Sequence, residues 1–302
     1  MRKTEQACGT VTRRWQRLRA LAFTVLVSGA AACSAPREIE DVSYDARFER
    51  TKLDLYLPDE DGLRPTVMLI HGGAWKYGDK GQMRRMARRL ARSGYAVASV
   101  NYRLLPAGRF PRNFQDVACA LAFLQLGADE YGIDPARIAV LGYSAGGHLT
   151  AMLGMSWDDS TIAPDCDAGP PTAPAAIVPG AAVYDFRGRD HALVIDYLGG
   201  SESEVPDNFQ LASPMAQIGP GRPPALLITG GADWFVGIDD TREMGAGLRA
   251  AGNSAEVLTL AGGGHLLTAG PDPGDVQFGV SIETPEAWLA LIDFLERTVG
   301  AP

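Results

Sequence analysis

The feature that most constrains this chain is the sequence Gly-Tyr-Ser-Ala-Gly at residues 142–146. It follows an apolar run at 137–141 and precedes a stretch of helical character at 147–153. A strand that turns abruptly into a helix forces the central residue into a strained backbone conformation, and small flanking residues are needed because larger side chains would collide there. The pattern predicts a strand–turn–helix unit, a nucleophile elbow, that presents Ser144 at the end of a strand.

The chain is long enough to bury a large core. It has 302 residues, of which 46% are hydrophobic and 21% are charged. One domain of about 250 residues fits the usual size range better than two. We expect this domain to cover residues 45–299, after a polar spacer at 33–44.

Short β-like segments alternate with longer helix-like segments along this domain. The β-like runs are 52–57, 66–70, 96–100, 138–141, 175–183, 225–229 and 255–260. The helix candidates are 80–92, 114–126, 145–155, 239–250 and 285–298. This alternation predicts an α/β fold in which a mostly parallel sheet is covered by helices on both faces. The turn-rich segment 156–174 is expected to be a loop over or beside the functional site.

The first 32 residues have the parts of a secretory signal peptide, with arginines before an apolar stretch at 20–32. The ending Gly-Ala-Ala-Ala-Cys-Ser at 29–34 resembles a bacterial lipobox, in which the cysteine becomes the lipidated first residue of the mature protein. We expect residues 1–32 to be a lipoprotein-type signal and Cys33 to anchor the protein to a membrane of the bacterial cell envelope. A simple signal peptide cut nearby, which would give a periplasmic or secreted protein, is the alternative.

The balance of charge argues against a polyanionic partner. The formal net charge of the whole chain is −8, and loss of residues 1–32 would remove six basic residues and one acidic residue. The remaining chain is therefore more acidic still. An acidic protein is a poor candidate for binding nucleic acid, so we expect no nucleic-acid partner.

Two cysteines, Cys119 and Cys166, remain after the leader and Cys33 are set aside. An exported protein can form a disulfide between them, although nothing in the sequence shows that they meet. Cys119 lies in an apolar helical run, which favours the interpretation that it is a small core residue.

A serine hydroxyl is a weak nucleophile and needs a base that is itself oriented by a carboxylate. His265 follows three consecutive glycines after the last β-like run, where a flexible loop can bring an imidazole over the sheet edge, and we predict that it is the base. His148 lies four residues after Ser144 on the same helix and is expected to pack. We expect His71 to shape its own loop and His191 to be solvated.

Asp233 is the predicted acid because it follows a β-like run through a Gly-Gly turn. A carboxylate at that strand end can reach the imidazole from the side opposite the serine. Asp239 and Asp240 are the other candidates, but their position at the start of the next helix suits the helix dipole. The chain order Ser144, Asp233, His265 is that of an α/β-hydrolase.

An oxyanion that develops during acyl transfer needs backbone N–H donors aimed at it. The sequence His-Gly-Gly-Ala-Trp at 71–75 follows a β-like run, and its glycines let the backbone approach a substrate without obstruction by side chains. We predict that the N–H groups of Gly72 and Gly73, together with that of Ala145, form the oxyanion hole.

These segments together resemble the α/β-hydrolase-fold serine esterases. Within them the chain is similar to the group of bifunctional feruloyl and acetyl-xylan esterases, related to the hormone-sensitive-lipase-like enzymes. The resemblance covers nearly all of residues 45–299 and departs at Ala74, where the lipase-like relatives often carry a third glycine. Its further motifs are Asn-Tyr-Arg-Leu at 101–104, Gly-Asp-Lys at 78–80, Phe-Pro at 110–111 and Gly-Ala-Asp at 231–233. It implies an α/β-hydrolase fold and ester hydrolysis without a metal or an organic cofactor.

The sequence therefore predicts an exported serine carboxylesterase that forms an acyl-enzyme on Ser144 and acts on short-chain acyl esters, acetylated or feruloylated carbohydrate among them. An amidase of the arylformamidase type is the alternative enzyme, since relatives with a similar His-Gly-Gly-x-Trp loop cleave N-formyl bonds. A surface lipoprotein that keeps the fold without catalysis is the alternative outside the enzymes.

Overall fold

The computed structural model describes residues 35–59, 62–265 and 284–302. All of them belong to one compact unit at residues 34–302. The predicted signal peptide and the predicted lipidation site Cys33 lie outside the described residues. The expected limits of the domain, residues 45–299, stay a prediction.

Eight strands of the described chain form one sheet, in the order β1-β2-β4-β3-β5-β6-β7-β8. They are β1 (Arg37–Ser43), β2 (Lys52–Leu57), β3 (Arg64–Ile70), β4 (Ala96–Val100), β5 (Ile133–Tyr143), β6 (Ala176–Gly180), β7 (Ala225–Gly230) and β8 (Ala255–Leu260). Strand β2 pairs antiparallel with β1 and β4, and the remaining neighbours pair in parallel. The carboxyl ends of the parallel strands therefore meet at one edge, where the loops that follow them can build a site.

Helices connect the strands. They are α1 (Arg84–Arg92), α2 (Arg112–Leu126), α3 (Ala128–Tyr131), α4 (Ala145–Ser156), α5 (Ala192–Leu198), α6 (Pro206–Leu211), α7 (Ile238–Ala250) and α8 (Pro285–Thr298), with 3-10 turns at Lys80–Met83 and Pro214–Gln217. Among the residues that the structure describes, no helix has the length and apolar character needed to cross a bilayer.

Alternate side chains of the buried strands enter cores on opposite faces of the sheet. On β3, Val67 and Leu69 pack in one core with residues of α1 and α8. Met68 and Ile70 pack in another core with residues of α2 and α4. A third cluster joins β6 and β7 to α4 and α7. The prediction of a mostly parallel sheet with helices on both faces is confirmed.

Within the segment 33–44, for which the sequence predicted a spacer, Arg37–Ser43 form strand β1 at the edge of the sheet. Its side chains are exposed or half-buried, and four of the seven residues are charged. Charged residues on an edge strand discourage pairing with other molecules. They also remove the apolar alternation by which a strand is recognised in sequence.

Helices α5 and α6 lie between β6 and β7, in a region for which the sequence predicted no helix. They have seven and six residues. Such short helices complete fewer than two turns, so their apolar side chains show no repeat that the sequence could reveal. Both nevertheless contribute to the core beside α4.

A disulfide joins Cys119 in α2 to Cys166, which lies in the irregular segment between α4 and β6. Cys119 is buried, as expected of a core residue, and its Cα lies 6.3 Å from that of Cys166. The pairing that the sequence left open is therefore present, and it ties the predicted loop at 156–174 to the core.

Candidate active site

Ser144 is the single residue between β5 and α4. Its backbone angles, φ 53° and ψ −119°, are rare for a residue other than glycine and cost about 1–3 kcal/mol. A Cβ at position 142 would lie 2.2 Å from the carbonyl oxygen of Gly146, and a Cβ at position 146 would lie 2.2 Å from that of Ile70. Glycine is therefore required on both sides, and the predicted strand–turn–helix unit is present.

Three of the predicted site residues lie in hydrogen-bond contact. Nε2 of His265 is 3.0 Å from Oγ of Ser144, and Nδ1 of His265 is 2.9 Å from Oδ2 of Asp233. A carboxylate only accepts hydrogen bonds, so Nδ1 carries the proton and the Nε2 lone pair faces the serine hydroxyl. Oδ1 of Asp233 accepts the backbone N–H groups of Phe235 and Val236 at 2.9 Å each. Asp233 is thus fixed in place while it orients the imidazole.

Backbone contacts between the loops after β7 and β8 hold this acid and base at their spacing. The N–H of Gly231 donates to the carbonyl oxygen of Leu260, and the N–H of Ala232 donates to that of Gly263, each at 2.8 Å. A Cβ at position 230 would lie 2.3 Å from the carbonyl oxygen of Gly263. Gly230, the last residue of β7, therefore allows the two loops to approach this closely.

The other candidate residues are engaged elsewhere. Asp239 and Asp240 lie in the first turn of α7, as their sequence position indicated. Asp240 is 2.6 Å from the guanidinium of Arg189, and the exposed Asp239 is 3.3 Å from that of Arg242. His191 is exposed and precedes α5.

The loop after β3 passes close to the nucleophile. A Cβ at position 72 would lie 2.9 Å from the carbonyl oxygen of Tyr143 and 3.3 Å from Cβ of Ser144, so Gly72 makes this approach possible. Gly73, the next residue, has a φ of 118° that favours glycine. The structure thus brings the predicted donor Gly72 beside Ser144, which Ala145 follows directly.

His71 shapes this loop, as predicted. Its ring stacks on that of Tyr102, with centroids 4.4 Å apart, and its Nδ1–H donates to the carbonyl oxygen of Gly72 at 2.7 Å. The hydroxyl of Tyr102 donates to the carbonyl oxygen of His71 at 3.0 Å. Burial lowers the pKa of His71 to about 4, so the ring is neutral at pH 7.

Two contacts around the site were not foreseen from the sequence. The indole of Trp75 donates a hydrogen bond to His148, for which the helical spacing had indicated only packing. The ring of Phe235 lies 4.9 Å from that of His265, and its neighbour Trp234 is 85% exposed. No sequence motif links Trp75 to His148 or Phe235 to His265. Each contact depends on how separate segments of the chain fold together.

The described residues contain no group of three or more His, Cys, Asp or Glu side chains that could hold a metal ion. The site places a hydroxyl, an imidazole and a carboxylate in series. Such a series can transfer the serine proton to the imidazole and so generate a nucleophile.

Comparison with known protein families agrees with this geometry. The family model of BD-FAE matches residues 53–248, from β2 into α7. The chain belongs to the BD-FAE family. The match includes the loop after β3, the elbow at Ser144 and Asp233, whereas His265 lies beyond its end.

The curated relatives of this BD-FAE member include esterases. Esterase LipC of Mycobacterium tuberculosis is 33% identical over 211 residues, which are 67% of this chain and 52% of LipC. The protein named "Probable carboxylic ester hydrolase LipM" from the same organism is 33% identical over 214 residues, 67% of this chain and 49% of LipM. The chain thus spans about half the length of the curated relatives it matches.

Solved structures agree with the fold of this family member. A truncated carbohydrate esterase from gut microbiota has a TM-score of 0.74 at 23% identity, covering 89% of this chain and 98% of its own. The described architecture is therefore the α/β-hydrolase fold.

Proposed function

We propose that this chain is a carboxylic ester hydrolase in which Ser144 is the nucleophile, His265 the general base and Asp233 the carboxylate that orients it. The observation that carries the proposal is the hydrogen-bonded series from the serine hydroxyl through the imidazole to the carboxylate, at 3.0 and 2.9 Å. Membership of the BD-FAE family and the likeness to an esterase of Mycobacterium tuberculosis support an ester as the substrate.

In the first half of the reaction, Oγ of Ser144 attacks the ester carbonyl carbon while its proton passes to Nε2 of His265. The carbonyl electron pair moves onto its oxygen and gives a tetrahedral oxyanion. Collapse of this intermediate breaks the bond to the alcohol, which leaves with the proton from His265. The acyl group then remains on Ser144 as an ester, and Asp233 stabilises the imidazolium that forms along the way.

In the second half, His265 takes a proton from water, and the oxygen of that water attacks the acyl carbon. Collapse of the second tetrahedral intermediate breaks the bond to Oγ of Ser144. The proton held by His265 returns to Oγ, and the carboxylic acid leaves. The same imidazole therefore acts as base and then as acid in each half of the cycle.

Backbone donors stabilise the oxyanion in this proposal. Ala145 supplies an N–H from the first residue of α4, and Gly72 and Gly73 supply theirs from the loop after β3. The close passage of Gly72, where an added Cβ would lie 3.3 Å from Cβ of Ser144, supports this assignment. Loss of one such donor typically costs about 3–4 kcal/mol of transition-state stabilisation.

The substrate class we propose is short-chain acyl esters, including those of carbohydrate. A structural relative is described as a carbohydrate esterase from gut microbiota. Another relative, esterase 2 of Thermogutta terrifontis, is described bound to butyrate and to propionate. Both are short acyl groups, which supports the short-chain part of this proposal.

We also propose that the protein is exported and lipidated on Cys33. The lipobox-like sequence at 29–34 supports this, and so does the disulfide between Cys119 and Cys166. Disulfides persist in oxidising compartments such as the periplasm and the cell surface. A lipid on Cys33 would hold the enzyme at a membrane of the cell envelope.

The test is hydrolysis by the full chain of p-nitrophenyl acetate, butyrate and octanoate and of acetylated xylo-oligosaccharides, beside p-nitroacetanilide as an amide. We expect turnover that falls with acyl length and disappears in Ser144→Ala. The variant Ser93→Ala, at an exposed serine after α1, is the matched control and keeps full activity.

A folded wild-type chain that hydrolyses none of the esters contradicts the proposal. Faster cleavage of the anilide than of the acetate ester favours the amidase instead. Circular dichroism of each variant establishes that it is folded.

A further inference from the structure

The proposed oxyanion hole is built from two separate segments of the chain. Ala145 begins helix α4, whereas Gly72 and Gly73 belong to the loop after β3. Donors from two segments stabilise an oxyanion only if their spacing is fixed before the substrate arrives. A contact that links the loop to α4 therefore bears directly on catalysis.

Such a contact joins Trp75 to His148. The indole Nε1–H of Trp75 donates to Nδ1 of His148, with the nitrogen atoms 3.3 Å apart. His148 lies one turn into α4, and its backbone N–H donates to the carbonyl oxygen of Ser144 at 2.9 Å. Trp75 is 3% exposed and His148 is fully buried, so water does not compete for the bond.

The tautomer of His148 suits this bond. Nε2 of His148 lies 2.8 Å from the carbonyl oxygen of Ala212, which can only accept, so Nε2 carries the proton and Nδ1 has a free lone pair. Burial lowers the pKa of His148 to about 4. The ring is therefore neutral at pH 7, and Nδ1 can accept the indole N–H.

The indole has little freedom to move independently of the loop. Its ring stacks on that of Tyr197, with centroids 4.2 Å apart and planes 10° apart. The carbonyl oxygen of Trp75 accepts the N–H of Leu105 at 2.9 Å. Trp75 and its neighbour Ala74 have φ of 56° and 52°, strained values that persist only where the surroundings enforce them.

We propose that His148 is a positioning residue that fixes the oxyanion loop through the indole N–H of Trp75. This inference rests on the proposed function, because it concerns the donors of that reaction. His148 holds Trp75 against α4, and the short segment between Trp75 and Gly72 transmits this constraint to the N–H groups beside Ser144.

The experiment compares variants that remove this bond with variants that spare it. Trp75→Phe removes the indole N–H but keeps a ring that can stack on Tyr197. His148→Leu removes the acceptor, whereas His148→Asn keeps an acceptor near the position of Nδ1. Tyr197→Phe is the matched control, because it removes the buried hydrogen bond to Asn113 and leaves the Trp75–His148 bond in place.

We expect Trp75→Phe and His148→Leu to lower kcat by between about tenfold and a hundredfold, as misplacement of reacting groups does, with KM nearly unchanged. His148→Asn retains more of kcat than His148→Leu, and Tyr197→Phe keeps the wild-type value. The double variant Trp75→Phe/His148→Leu loses no more kcat than the more damaging of its two single variants, because both changes break the same hydrogen bond.

Two further readouts distinguish positioning from general loosening. A thiocarbonyl sulfur is a poor hydrogen-bond acceptor, so the preference for p-nitrophenyl acetate over its thiono analogue measures the oxyanion donors. We expect this preference to fall in Trp75→Phe and His148→Leu but not in Tyr197→Phe. Hydrogen exchange of the backbone amides at 71–77, which requires no activity, speeds up in the same two variants.

Folded variants at positions 75 and 148 with wild-type kcat, thiono preference and loop exchange overturn the inference. A fall in kcat that Tyr197→Phe shares to the same extent also overturns it. The two proposals can fail separately. If the wild-type chain has no esterase activity but hydrogen exchange at 71–77 is faster in Trp75→Phe, the proposed function is contradicted and the anchoring of the loop is supported.

Discussion

Ser144, Ala74 and Trp75 all have positive φ although none is glycine, with values of 53°, 52° and 56°. Each such residue costs about 1–3 kcal/mol and persists only if its neighbours leave no alternative. All three flank the place where backbone N–H groups are proposed to meet an oxyanion. In the described chain, three of the five non-glycine residues with positive φ therefore lie where the proposed chemistry requires fixed geometry, the other two being Asp41 and Ala181.

Replacing Asp233 tests the assignment of the acid. Asp233→Asn keeps the size of the side chain but removes the charge that orients His265, so the imidazole can adopt the wrong tautomer. We expect kcat to fall by about 10⁴-fold, as in the Ser-His-Asp template, and the pH–rate profiles of p-nitrophenyl acetate hydrolysis measure it.

The matched control is Asp239→Asn, at the exposed neighbouring candidate, which we expect to leave kcat unchanged. Loss of activity in Asp239→Asn together with retained activity in Asp233→Asn would show that Asp239, and not Asp233, orients His265.

Buried His148 should make the protein less stable in acid. Its pKa is lowered to about 4 from an ordinary value of 6.5 by burial, so the unfolded state binds a proton first as the pH falls. Its contribution to stability is complete above about pH 6.5, declines as the pH falls towards 4, and is about 2 kcal/mol smaller at pH 5 than at pH 7.5.

Urea unfolding at pH 7.5 and pH 5 measures this effect. We expect the wild-type chain to lose more stability between these pH values than His148→Asn, which has no titrating group at this position. Tyr197→Phe, which removes a buried hydrogen bond and no group that titrates in this range, keeps the wild-type pH dependence. Equal losses of unfolding free energy in the wild type and in His148→Asn would show that His148 does not contribute to the loss of stability in acid.

Among single residues, the sequence indicated those whose role follows from the local pattern. Ser144 follows from its elbow, and His265 and Asp233 follow from glycine-rich turns after strands; the structure brings all three together. The bond between Trp75 and His148 joins segments that are 73 residues apart. No local pattern encodes such a contact, because it depends on packing of the finished fold.

At the scale of helices and strands, the same distinction between local and non-local information applies. The bounds of β2, β4, β8 and α8 agree with the sequence prediction. In β4 every residue is buried, and α8 begins with a proline after the capping residue Thr284, so local signals mark both. The charged edge strand β1 and the short helices α5 and α6 carry no such signal, since their neighbours in space determine them.

The disulfide between α2 and the segment after α4 is expected to stabilise the fold. It links residues 47 positions apart, and a closed loop of this size restricts the unfolded chain enough to contribute about 2–4 kcal/mol. The double variant Cys119→Ser/Cys166→Ser should lose this stability in urea unfolding and keep most of its esterase activity, because both cysteines lie outside the hydrogen-bonded series at Ser144.

A reducing agent is the matched control for that prediction. Dithiothreitol should lower the stability of the wild-type chain and leave the double variant unchanged. Equal unfolding midpoints for the wild type with and without dithiothreitol would contradict a structural role for the disulfide.

At the scale of the whole molecule, an acidic catalytic domain is proposed to be held at a membrane through its amino-terminal region. The prediction is that the full chain, expressed in a bacterium with labelled palmitate, carries the label and sediments with membranes. Acyl chains bind bilayers through about 0.8 kcal/mol per buried methylene. Cys33→Ser should lose the label and the membrane association.

Retention of the label in Cys33→Ser would place the modification on another residue. An unlabelled wild-type chain in the soluble periplasmic fraction would favour the simple signal peptide that the sequence left as the alternative. Both outcomes leave the assignment of the ester hydrolase site unaffected, because the described residues of that site lie far along the chain from Cys33.

The central claim is that Ser144 is an activated nucleophile, and covalent trapping tests it most directly. A fluorophosphonate that reacts with activated serines is added to the full wild-type chain and to Ser144→Ala, and the products are analysed by intact mass and peptide mapping. We expect one adduct per wild-type chain, on the peptide that contains Ser144, and none on the variant. An adduct on another residue, or ester hydrolysis by a wild-type chain that is not modified at Ser144, would contradict the account.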